Sequence, residues 1–231
     1  MCFSATASFG AGVVLTVIGI ASIKKTHNQS QLMFASIPLI FGVQQIAEGL
    51  LWISLPNPDL LKLQKFATYL FIFFAQIIWS MWVPIAIILL EKKNKSTVIQ
   101  KLLVGAGLLV GCYFTYCLIT FGVEAKIRGH HIAYLFNYPP SLGNYVIFLY
   151  ALATITPAFF SHIKRMWIFG TAILISYLIT ALFYDQHVIS VWCFFASLIS
   201  ISIYLIVVEI SRLEKQRPSL LLTNRYLNYS K

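Results

Sequence analysis

The sequence predicts an all-α integral membrane bundle of seven transmembrane helices, with its N-terminus outside and its C-terminus inside. Three observations predict it. Apolar residues make up 59% of the chain and charged residues only 10%, a balance that suits helices in lipid and not a soluble domain. Apolar segments of roughly 20 residues, enough to cross a bilayer, recur between short polar stretches. All 17 Lys and Arg except Lys62, Lys65, Lys126 and Arg128 fall on one side once the loop after the first segment is placed in the cytoplasm, as the positive-inside rule requires. The net charge of +10 is thereby explained by topology, and no nucleic-acid partner is expected.

The segments follow in order, with boundaries blurred by a few residues at each end. The first runs from Thr6 to Ile23 and is closed by Lys24 and Lys25; no basic region precedes it, so it does not read as a cleaved signal peptide. The second, Leu32 to Ser54, enters through Pro38. The third, Phe66 to Leu90, is interrupted near its far end by Pro84. The fourth, Lys101 to Phe121, carries Gly107 and Gly111 four apart, a spacing that favours close helix contact. A long polar loop from Gly122 to Gly143 leads to the fifth, Asn144 to Phe160. The sixth, Met166 to Tyr184, and the seventh, Val188 to Ile210, are joined so tightly that they should be antiparallel neighbours. Residues 1–210 form one seven-helix domain, and 211–231 a basic cytoplasmic tail.

Chemistry centres on Phe41 to Trp52. Gln44, Glu48 and Trp52 are spaced by four and share one helical face, which Gln45 flanks. A carboxylate inside a bilayer costs roughly 2.5–3.5 kcal/mol or more, so Glu48 should face protein, water, a metal or a proton path. The competing reading is structural: Glu48 lies about one turn from the surface and can reach headgroups or join a hydrogen-bond network. Gln76, about 15 Å into the third helix at 1.5 Å per residue, is placed to floor a cavity opening outward. Gln44, Gln45, Glu48, Trp52 and Gln76 are therefore the candidate ligand residues.

The outward side also gathers Cys2, His130, His131, Asp185 and His187. With Glu48 these supply the N, O and S donors suited to zinc or another transition metal. If Met1 is removed, Cys2 offers both an amine and a thiol, so Cys2 and Glu48 are the candidate catalytic residues. Cys112 and Cys117 lie on different faces of one helix and suit no disulfide. No HExxH, GxSxG, Walker-type loop or CxxCH occurs, and the seventh segment has no lysine for a retinal Schiff base.

The opening MCFSATASF and the stretch Pro38 to Trp52, of the form PLxFGxQQxxEGxxW, resemble an uncharacterised family of small bacterial integral membrane proteins. The resemblance implies a multi-pass protein of the bacterial inner membrane. It draws attention to Cys2, Ser4, Thr6, Ser8, Gln44, Gln45, Glu48 and Trp52 without assigning them a reaction.

The leading functional expectation is an outward-facing polar cavity that binds or senses a small ligand or metal, with membrane lipid as the surrounding partner. The alternatives are a membrane-embedded metal-dependent hydrolase and a small-solute or proton-coupled transporter in which Glu48 takes up and releases a proton. Oligomeric state is left open by the sequence.

Overall fold

A computed structural model describes residues 4–91, 97–139, 143–163, 165–184 and 187–213. Six helical spans in it are long and apolar enough to cross a membrane: Ala5–Lys24, Gln29–Ser54, Pro58–Leu90, Val98–Phe121, Met166–Phe183 and Val188–Leu213. A shorter apolar helix, Tyr145–Phe160, supplies the remaining segment. The all-α membrane bundle expected from composition is the observed architecture. Of the expected tail, residues 214–231 lie outside the described residues.

Helix α1 (Ala5–Lys24) starts at an N-cap in which Ser4 accepts a hydrogen bond from the Ala7 amide. The second segment is two helices, α2 (Gln29–Ala35) and α3 (Ile37–Ser54), divided at Ser36. Pro38 has no amide hydrogen to continue the ladder, which accounts for the break. Helix α1 packs along α3 through glycines. A Cβ on Gly12 would lie 3.2 Å from the Gly42 carbonyl oxygen, and one on Gly42 would lie 3.0 Å from the Gly12 carbonyl oxygen. Small residues let the two backbones meet, the usual means of helix association where lipid supplies no hydrophobic drive. Much of the rest of α1, including Val13, Val14 and Val17, is exposed to the surroundings.

The third span is α4 (Leu61–Ile72), a π-helical segment (Phe73–Ile78) and α5 (Trp79–Leu90). Helix α5 runs on through Pro84, which leaves the Ser80 carbonyl without its usual amide donor. Helix α6 (Val98–Phe121) begins with a capping box, in which Thr97 accepts from the Gln100 amide and Gln100 accepts from the Thr97 amide. Its Gly107 rests on α5 so closely that a Cβ there would sit 2.1 Å from the Ser80 carbonyl oxygen.

The expected polar loop is instead a β-hairpin. Strand β1 (Val123–Arg128) pairs antiparallel with β2 (His131–Phe136), in a register from Val123 opposite Phe136 to Arg128 opposite His131. Val123, Ala125 and Ile127 alternate with Glu124, Lys126 and Arg128, the period-two pattern of a half-buried strand. Gly129 takes a φ of 61° at the first turn position, where type II′ hairpins favour glycine. Val123, Ala125, Ile132 and Tyr134 are buried against the bundle, and Tyr134 stacks on Phe71 at 4.9 Å.

Helix α7 (Gly143–Ile155) ends in a 3-10 turn (Thr156–Phe160) that contains Pro157. Helices α8 (Met166–Phe183) and α9 (Val188–Ile199) then pack against one another. At the opposite end of the bundle from the hairpin, Glu91 ties the helix ends together. It accepts from the Ser161 hydroxyl at 2.7 Å and the His162 amide at 2.8 Å.

The α5–α6 contact predicts opposite outcomes for two neighbouring glycines. Gly107→Ala forces helices apart and should lower unfolding stability by about 1–3 kcal/mol. Gly105, with nothing within 4 Å of its added Cβ, should gain about 0.5–1 kcal/mol on replacement by Ala from helix propensity alone. Thermal unfolding of the two variants in one detergent checks the pair.

Candidate functional site

The α3 face picked out by its spacing is fully buried at Gln44, Gln45 and Glu48 and half-buried at Trp52. Its partners come from distant helices. Ser190 of α9 donates its hydroxyl to Glu48 Oε1. Trp79 of α5 donates its indole N–H to Gln44 Oε1 at 2.6 Å, with its ring stacked on Phe41 at 3.9 Å. Cys193, one turn beyond Ser190, places its thiol beside Gln44 and Glu48. The Glu48 carboxyl group and the Gln44 amide thus join α3 to α9 and α5 deep inside the bundle, with Gln45 buried beside them. Neither Ser190 nor Trp79 was singled out by sequence as a partner of this face, because no local spacing relates residues so far apart.

A separate cavity of about 560 Å³ lies under the hairpin. It is walled by the π-helical segment, α6, β2, α7, α8 and the start of α9. Of the expected ligand residues, Gln76 lines it; Gln44, Gln45, Glu48 and Trp52 are not among its lining residues. Cys193 belongs to the cavity wall and also adjoins Glu48, so it forms the layer between the two regions.

The π-helical segment positions Gln76. A widened turn shifts the backbone hydrogen-bond pattern, and such turns recur at functional sites. Here the Ala75 carbonyl accepts from the Tyr150 hydroxyl at 2.5 Å, which anchors α7 to the third span. The next side chain, Gln76, reaches the cavity and accepts from the Tyr138 hydroxyl at 3.2 Å. With Oε1 engaged, the amide N–H₂ of Gln76 is the group left to donate toward the cavity. Burial raises the Tyr138 phenol above its ordinary range, so it remains a donor. The remaining wall is largely aromatic and aliphatic, including Tyr113, Phe114, Phe136, Tyr177 and Trp192.

His187 lines the cavity mouth, and its ring centroid lies 4.8 Å from that of His131, which also packs on Tyr184. Burial first, and then the neighbouring His187 ring, holds the His131 imidazole below its ordinary range. For His187 the causes are burial and then Arg128. His130 sits exposed at the hairpin turn. Cys2 and Asp185 lie outside the described residues. Among the described residues, no group of three or more His, Cys, Asp or Glu is placed to hold a metal ion.

Apolar spans, a buried polar junction and a cavity under a capping hairpin define a multi-pass membrane protein. The chain belongs to a family of unknown function, DUF6629, whose model matches residues 1–218. No curated protein and no solved structure matches it.

Two predictions follow the geometry. Trp79→Phe leaves Gln44 Oε1 buried without its donor and should cost about 1–3 kcal/mol of stability, measured by thermal unfolding. Because both histidines bind protons less readily folded than unfolded, stability should rise with pH up to the ordinary imidazole value of about 6.5 and fall below it. The melting temperature should therefore drop between about pH 7.5 and about pH 5.5, and the drop should shrink in His187→Asn.

Proposed function

We propose that this protein resides in a bacterial inner membrane and binds a small, uncharged ligand in the outward-facing cavity beneath the hairpin. The observation that carries the reading is the wall. No Asp, Glu, Lys or Arg is among the described residues lining it. A charged ligand would lose its hydration there without gaining a counter-charge. The volume falls in the roughly 300–1,000 Å³ range of small-molecule sites, which are typically apolar with a few placed polar groups. Those groups are the Gln76 amide, the His187 ring and the Tyr138 oxygen, whose own O–H is committed to Gln76. The free Gln76 N–H₂ is the donor, so the ligand carries a hydrogen-bond acceptor such as a carbonyl oxygen at one end.

The test uses protein in lipid nanodiscs labelled with 5-fluorotryptophan, with the Trp192 resonance assigned by Trp192→Phe. The neutral ketone 2-octanone should shift that resonance saturably. Octanoate and octyltrimethylammonium should not. Gln76→Leu should weaken 2-octanone by roughly 2–12-fold, the loss of one hydrogen bond worth about 0.5–1.5 kcal/mol. Equal or tighter binding of either ion, or no response of Trp192 to the ketone, would overturn the reading.

A further inference from the structure

Below the main cavity lies a second, smaller void of about 50 Å³, walled by Phe41, Trp79, Val83, Ile87, Ile173 and Ala196, among others. The two spaces share three walls: Tyr150, Trp192 and Cys193. Their polar content differs sharply. The upper space carries Gln76, Tyr138 and His187, whereas beyond the three shared residues the polar groups of the lower are Thr154 and the Trp79 indole, whose N–H is already donated to Gln44. The Thr154 hydroxyl is turned back onto the Tyr150 carbonyl at 2.8 Å, so it offers the void no donor.

Trp192 is the partition. Its ring meets Tyr177 edge-on at 5.0 Å and Tyr150 edge-on at 5.9 Å. Its indole nitrogen is buried without a hydrogen-bond partner, so packing alone holds the ring across the junction. Rotamer change of such a ring breaks no hydrogen bond.

From this arrangement we infer that the ligand is a single-chain amphiphile, with its uncharged polar head at Gln76 and its hydrocarbon chain passing Trp192 into the lower void. The inference rests on the uncharged-ligand reading of the upper cavity and adds the class of molecule and its direction. The polar end has donors suited to a carbonyl or hydroxyl, and the far end presents surface that only hydrocarbon satisfies. Trp192 then acts as a length gate: short chains stop above it and longer ones displace it.

Trp192 borders both spaces, but Trp79 borders only the lower one, so the same fluorine-labelled protein carries a reporter for each. With Trp79 assigned by Trp79→Phe, 2-hexanone should shift Trp192 and leave Trp79 in place. The longer 2-undecanone should shift both. Ala196→Phe, which fills the lower void, should abolish the Trp79 response to 2-undecanone while the Trp192 response persists. A Trp192 shift with an unmoved Trp79 for every chain length would overturn the gate and leave the upper site standing. A Trp79 response to 2-undecanone that survives Ala196→Phe would likewise overturn it. Silence of Trp192 toward both ketones would instead overturn the binding reading itself.

Discussion

The hydrogen bond from the Tyr150 hydroxyl to the Ala75 carbonyl is the contact on which the inner architecture turns. Inside an apolar span a backbone carbonyl has no water to accept from, so any lone pair beyond its ladder bond is engaged only by a donor from the protein. The π-helical segment alters the ladder, and Tyr150 supplies a donor from α7. That contact fixes α7 against the third span and leaves the adjacent Gln76 directed into the chamber. It also sets Tyr150 at the junction of the two spaces. An irregularity in one helix thus shapes the cavity and its polar end.

The buried polar junction at Glu48 works by a related constraint in side-chain terms. Gln44 and Glu48 lie on one face of α3, yet their partners come from α5 and α9. Pairing polar groups across helices makes the arrangement of those helices specific, because a shifted register would leave an amide or carboxyl group in apolar surroundings without a partner. The glycine seam between α1 and α3 contributes shape where this junction contributes polarity. Together they account for the enclosure of the span Gln29–Ser54, which contains α3 and is more fully buried than the other five long spans among the described residues.

Much of this was readable from residue order, and the limits were physical. Composition and the spacing of apolar runs identify the spans, since crossing a bilayer imposes length and polarity on each one separately. The face bearing Gln44, Glu48 and Trp52 is equally legible, because helical periodicity is local. The hairpin was legible in principle: the alternation from Val123 to Arg128 and the Gly129 turn were present, but the segment's polarity favoured a loop reading. The π-helical segment had no such signal, since Phe73 to Ile78 reads as ordinary apolar helix. The pairings of Glu48 with Ser190 and of Gln44 with Trp79 depend on which helices become neighbours, and spacing within one segment carries no record of that. Gln76 was found by depth, whereas the aromatic wall around it belongs to several elements distant in sequence.

The Ser190–Glu48 hydrogen bond spans 142 positions of the chain, and that distance bears on how the protein is built. Helix α3 emerges from the ribosome well before α9, so its carboxyl group enters the bilayer before the hydroxyl that will accompany it exists. In that interval α3 must be sheltered by the insertion machinery, by lipid headgroups or by its glycine-matched neighbour α1. Arrival of α9 then completes the polar junction and closes the last wall of the chamber in a single event. Assembly of the junction and closure of the cavity are therefore one step, and a chain stalled before α9 would have neither.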